Sequence, residues 1–125
     1  MLFDTDVLIW AFQGHTGAAA SIEGAHTREV SVITYFELIQ GTRDSEQTQA
    51  LRVFLDDLAF QLLPVTEAIS VRAQGYMEAH GAHYGINIAD ALIAATAIDH
   101  GLTLCTGNAR CYRSIKELTV QAFQS

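Results

Sequence analysis

The sequence predicts an α/β fold: a central, mainly parallel sheet of four to five strands with helices on both faces, in three α/β/α layers. Two observations carry this. Short runs with the composition of buried strands alternate along the chain with segments of helical periodicity, the pattern that builds parallel sheets. One of those helical segments, residues 86–98, is apolar nearly all round and so must be enclosed rather than laid on a surface. A chain of 125 residues, half of them hydrophobic, 17% charged and with one proline, has the composition of one compact domain spanning residues 1–125.

Taken in order, Met1 to Phe3 form the first strand, and a helix begins near Asp6. The stretch from Gly14 to Gly24 is small and polar, with a short helix through Ala18 to Ile22. Val30-Ser31-Val32-Ile33 is short and β-branched and reads as a buried strand. Thr34 to Gln40 then starts a helix closed by Gly41. Between Ser45 and Leu58 the apolar residues Ala50, Leu51, Phe54, Leu55 and Leu58 recur at helical spacing beneath a polar face. Phe60 to Val65 is the third strand, and Thr66 with Glu67 opens a helix that fades from His80-Gly81 to Tyr84-Gly85. After the apolar helix, Gly101 provides a stop; Leu102 to Cys105 is a fourth strand, Arg110 to Ile115 a helical turn, and Leu118 to Phe123 a last strand.

Several functional classes are disfavoured. The longest apolar stretches are broken by Glu37 and Asp90 and are too short to span a bilayer. No Lys/Arg-led signal precedes Asp4, so a cytoplasmic protein is expected. Cys105 and Cys111 alone make neither a disulfide framework nor a zinc site, and are expected as reduced thiols. His80-x-x-His83 has no third ligand at zinc spacing and reads as a pair of surface histidines. No P-loop or Gly-x-Ser-x-Gly pattern is present. The formal charge of −7 argues against a phosphate-binding surface of ordinary kind, unless divalent cations offset some of the acids or a local patch carries the contact.

The informative residues are acids in apolar surroundings. Asp4 ends the first strand, Glu37 stands one turn beyond the second, and Asp90 lies in the first turns of the most apolar helix. Each has a structural explanation: Asp4 or Asp6 as a helix N-cap, Thr34-x-x-Glu37 as a capping box, Asp90 as a first-turn acid on the helix dipole. Together they converge at one edge of a parallel sheet. Like charges gathered there need cations to remain ionised, and hard oxygen donors select Mg²⁺ or Mn²⁺. Such a site suits metal-assisted attack of water on a phosphodiester. Arg110, Arg113 and Lys116 recur every three residues nearby, either as a solvated helical face or as contacts to an RNA backbone. Trp10, Phe12, Phe54 and Phe60 are read as core or subunit contact.

Four ordered stretches, residues 2–9, 31–41, 88–95 and 104–108, resemble the successive signatures of the PIN-domain family, and the size resembles its VapC-type toxins of bacterial toxin–antitoxin pairs. The resemblance implies a Mg²⁺- or Mn²⁺-dependent endoribonuclease, a homodimer, held inactive by a cognate antitoxin. It places the metal ligands on Asp4 and Asp90, with Glu37 as a further ligand directly or through water, Thr5 and Thr106 as polar neighbours, and Asp6 as a helix cap or supporting group. Many members carry an acid where this chain has Asn108 or Cys111, so Asn108 joins the catalytic set as an amide that adds no charge, and the number of metals, one or two, stays open. Two other readings remain. One is a catalytically silent PIN-like module that binds RNA or protein. The other is a haloacid-dehalogenase-type phosphatase, suggested by Asp4-Thr5-Asp6 but needing a later lysine where the chain has only Lys116.

Overall fold

A computed structural model describes residues 1–82 and 85–123. The expected strand–helix alternation appears as β1 (Leu2–Phe3), α1 (Thr5–Phe12), α2 (Thr16–Glu23), β2 (Glu29–Ser31), α3 (Val32–Gln40), α4 (Ser45–Asp57), β3 (Gln61–Leu63), α5 (Glu67–His80), α6 (Ile88–Asp99), β4 (Leu104–Thr106), a 3₁₀ turn (Ala109–Tyr112) and β5 (Val120–Ala122). The five strands form one sheet in the order β3-β2-β1-β4-β5, and every pairing is parallel. His83 and Tyr84, on which the His-x-x-His pair and the end of the α5 loop fall, lie outside the described residues.

Period-two alternation along the strands separates two cores. Leu2, Leu63 and Leu104 point to one face, where α5 and α6 supply Ile69, Ala73, Ile93 and Ala94. Phe3, Val30 and Cys105 point to the other, against Val7, Leu8, Ile22, Leu51 and Leu55 from α1, α2 and α4. The register Leu2↔Leu104 and Phe3↔Cys105 keeps like faces together. Each fully buried leucine, isoleucine or phenylalanine contributes about 1.5–3 kcal/mol. The buried stripe of α6 is mostly small (Ala91, Ala94, Ala95, Ala97), which lets it lie close to the sheet. Its end is set by Gly101 at φ +64°, with Leu102 N–H returning to the Ala97 carbonyl at 2.8 Å. The aromatic expectation holds: Phe12 packs on Phe54 and Phe3 on Phe60, while Trp10 packs on Phe123.

Element boundaries shift by a few residues from the sequence reading, and the shift at β2 bears on the site. The β-branched run does not stay extended to Ile33; the strand ends at Ser31, whose hydroxyl accepts the Ile33 N–H at 3.1 Å and starts α3 at Val32. A side-chain cap outweighs the weak β-preference of two valine-like residues.

Strand order positions the site. The chain builds outward from β1 to β2 and β3, then returns to add β4 on the other side of β1. The reversal between β1 and β4 leaves a crevice outside their carboxyl ends, the place where open α/β sheets bind ligands.

Candidate active site

Asp4 sits in that crevice. Because the chain passes from β1 directly into α1, Asp4 is at once the strand end and the helix N-cap, its Oδ1 accepting the Thr5 N–H at 2.8 Å. The residue is only 7% exposed, and a carboxylate so placed needs donors. Its Oδ2 has two: the Thr106 hydroxyl at 2.8 Å, from the end of β4, and the Tyr112 hydroxyl at 2.9 Å, from the 3₁₀ turn.

Asp90 arrives from the opposite side as the third residue of α6. Asn87 caps that helix, its Oδ1 accepting the Asp90 N–H at 2.8 Å, which fixes the first turn. The Tyr112 hydroxyl lies 3.1 Å from Asp90 Oδ1, so one phenol stands between two carboxylates. Glu37, exposed in the second turn of α3, accepts the Thr5 hydroxyl at 2.7 Å, and that hydroxyl is 3.0 Å from Thr34 Oγ1. Asp4, Thr5, Asp6, Glu37, Asp90 and Asn108 all line one cleft of about 280 Å³. The structure thus brings together the acids singled out by sequence, together with Asn108. Asn108 makes no side-chain cap bond, while its N–H donates to Thr106 Oγ1 at 3.0 Å.

Two sequence assignments are corrected. Asp6 does not cap α1, since Asp4 holds that place. Asp6 is the second residue of the helix and its Oδ2 accepts the Gly107 N–H at 3.0 Å, tying the loop after β4 to α1. Thr34 is likewise no N-cap: it lies inside α3, which Ser31 caps, so Glu37 is not spent on a capping box and its carboxylate is turned to Thr5. Arg110 and Arg113 line an adjoining hollow of about 520 Å³ that shares Asn87, Asp90 and Cys111 with the cleft. Lys116, exposed, lines neither.

The cleft is electrostatically one-sided. Burial, and then the charges of Asp4, Glu37 and Asp6, push the Asp90 carboxyl up to about 6, against the opposing effect of the Tyr112 hydrogen bond. Asp6 is raised by burial and by Asp4, partly offset by the N–H groups of Gly107 and Val7. Burial and the two carboxylates raise the Tyr112 phenol so that it keeps its proton and remains a donor. Among the described residues, no ion pair reaches these acids. Nor do three His, Cys, Asp or Glu side chains among them already stand as a group able to hold an ion. Two carboxylates suffice for Mg²⁺, which is commonly bound by one or two with its own waters completing the shell. The uncompensated charge and the all-oxygen donor set fit a hard divalent cation. Cys105 is buried and its thiol is pushed up to about 11, and Cys111 is also raised by burial; both are free thiols.

Tyr112 and Asn87 were not singled out from sequence. Asn87, directly before the helix and three residues before Asp90, carries a cap signal. Tyr112 carries none, since an aromatic in a short turn reads as core.

Gly107 fixes the loop geometry. A Cβ there would fall 2.7 Å from the Trp10 ring and 2.8 Å from Asp6 Oδ2. Gly107→Ala is therefore expected to lower stability by about 1–3 kcal/mol through overpacking, measured as a shift of the urea midpoint; an unchanged midpoint would show that Trp10 yields freely.

Comparison with known proteins agrees with this architecture. The sequence profile described as PIN domain matches residues 1–117. The chain is similar to Ribonuclease VapC10 of Mycobacterium tuberculosis, 35% identical over 112 residues, 86% of this chain and 82% of that protein. It is also similar to Ribonuclease VapC1 of Methanocaldococcus jannaschii, 28% identical over 124 residues, covering 98% and 86%. Among solved structures it superposes on a chain of a toxin-antitoxin complex from Klebsiella pneumoniae with a TM-score of 0.79 and 28% identity, over 94% of each chain.

Proposed function

Because this chain belongs to the PIN domain family, we propose that it is a metal-dependent endoribonuclease toxin, hydrolysing RNA phosphodiester bonds and neutralised by a cognate antitoxin protein. The observation that carries the reading is the convergence of Asp4 and Asp90 from β1 and α6 onto one phenol in an acidic cleft, with Glu37 at its rim. The relatives named as ribonucleases and the toxin-antitoxin neighbour support the substrate class and the partner. The phosphatase reading lacks support, because it needs a lysine in the cleft and Lys116 does not line it.

Asp4 and Asp90 would hold Mg²⁺ or Mn²⁺, with Glu37 joining directly or through a water. The bound ion supplies charge neutralisation at the scissile phosphate and a water of lowered pKa. The chain's own residues do the rest. Thr106, Thr5 and Tyr112 orient the carboxylates by donating to them. The Asn108 carboxamide, uncommitted to the turn, orients water or phosphate at the mouth. Arg110 and Arg113, beside the hollow that opens off the cleft, grip the RNA backbone next to the bond being cut. Water attacks phosphorus, the bond from phosphorus to the ribose oxygen breaks, the proton lost by the water passes to solvent or to a cleft carboxylate, and the departing ribose oxygen takes up a proton from solvent.

A second copy of the chain and the antitoxin are its proposed protein partners; Phe36, Val71 and Ile88, more than half exposed, are apolar surface available for such contacts. A cytoplasmic location follows from the same reading. No helix among the described residues is long and apolar enough to cross a membrane.

The test is metal removal. Treatment with a chelator is expected to abolish cleavage of a generic single-stranded RNA by purified protein, and Mg²⁺ or Mn²⁺ to restore it. Cleavage that persists in full after exhaustive chelation would overturn metal dependence. Absence of cleavage with either ion, across a panel of RNA sequences, would favour the silent binding module.

A further inference from the structure

We propose that Tyr112 is a positioning residue, its hydroxyl clamping Asp4 and Asp90 in a fixed relation so that one oxygen of each is left for the divalent ion. The proposal rests on the metal-site reading above and adds a residue that neither the sequence signatures nor the comparisons assign. Its first support is hydrogen-bond capacity. An ionised carboxylate accepts at about four positions, two on each oxygen. Asp4 Oδ2 faces Thr106 and Tyr112, whereas Oδ1, among the described residues, accepts only the Thr5 N–H and keeps a position open. The phenol's one hydrogen is shared between Asp4 Oδ2 at 2.9 Å and Asp90 Oδ1 at 3.1 Å, and Asp90 Oδ2 accepts no hydrogen bond among the described residues. The phenol therefore uses one oxygen of each acid and leaves the other.

The second support is rigidity. Tyr112 is 1% exposed, its ring packed in the core layer that also holds Ala91, Ala94, Ile115 and Leu118. The turn that carries it is closed by Cys111 N–H on the Asn108 carbonyl at 3.1 Å and by Ile115 N–H on the Tyr112 carbonyl at 3.0 Å. A hydroxyl held by a buried ring cannot follow a wandering carboxylate; the carboxylates must come to it. The third is electrostatic. Two like charges that converge in a partly dry cleft repel, and a protonated donor between them is the compensation present before any ion enters. With Phe in its place, both acids would relax toward water and the ion would have to gather them.

Calorimetric titration of Mn²⁺ into the full-length metal-free protein tests the clamp. Tyr112→Phe keeps the ring and removes the donor, so its thermal midpoint is expected to stay near wild type while Mn²⁺ binds about 10–100-fold more weakly, the range typical of lost ligand-orienting partners. RNA cleavage by the variant should then recover as Mn²⁺ is raised, moving the activation midpoint rather than the plateau. Equal Mn²⁺ affinity in the two proteins overturns the clamp. Tighter binding by the variant also overturns it, since that is what a hydroxyl competing with the ion would give. Absence of Mn²⁺ binding by wild type overturns the metal reading itself, which distinguishes the two failures. Should Tyr112→Phe not fold, Tyr112→Met is titrated under the same criteria.

Discussion

Replacing Asp90 with Asn is expected to reduce RNA cleavage by about a thousandfold or more, on the order of 4 kcal/mol in the barrier, while the metal-free protein is at least as stable as wild type. The two halves of this result have separate causes. Cleavage falls because an amide offers the ion a weaker, uncharged oxygen at the position paired with Asp4 through Tyr112. Stability is kept because Asp90 is half-buried and raised by its neighbours, so at neutral pH its charge opposes folding rather than aiding it. Helix α6 keeps its cap, which is supplied by Asn87 and the Asp90 backbone rather than by the Asp90 side chain. Measuring cleavage together with a urea denaturation curve checks both; full cleavage by this variant would remove Asp90 from the site.

Asp4→Ala behaves differently. Its cleavage is expected to be lost to the same degree, but with about 2–4 kcal/mol of stability as well. About 1 kcal/mol is the lost α1 cap, and about 1–3 kcal/mol is the desolvation of the Thr106 hydroxyl left without its acceptor. Tyr112 retains Asp90 and so adds less. A lower urea midpoint for Asp4→Ala than for Asp90→Asn is the discriminating measurement. Equal midpoints would show that Asp4 is not the structural centre described here. On this expectation Asp4 serves both cleavage and folding, whereas Asp90 serves chiefly cleavage.

The acids were legible in sequence because charge in an apolar run is conspicuous whatever the fold. Asp4, Glu37 and Asp90 each stand where a strand meets a helix or a helix enters the core, and parallel topology gathers such points at one edge. What was illegible depended on local competition or long-range contact. Ser31 and Thr34 are both good caps three residues apart, and only the buried register of β2 decides that Ser31 serves. Asp4 and Asp6 are equivalent by spacing, and the choice between them lies in Thr106 and Gly107, about a hundred positions away. Tyr112 presents the same difficulty in stronger form. Composition marks it as a core aromatic, which it is, and its hydroxyl matters only because the turn after β4 sets it between two acids from β1 and α6.

The strand order also sets a timetable. The central strand, β1, is made about a hundred residues before its partner on one side, β4. At about 5–20 residues per second, Asp4 waits several seconds for Thr106 and Tyr112, and until then the cleft has only one wall. A nascent chain that stops short of Tyr112 holds no assembled acidic site. On the proposed function, the nuclease becomes active only once the segment carrying Thr106 and Tyr112 has emerged, and that interval is available for an inhibitor to find the chain.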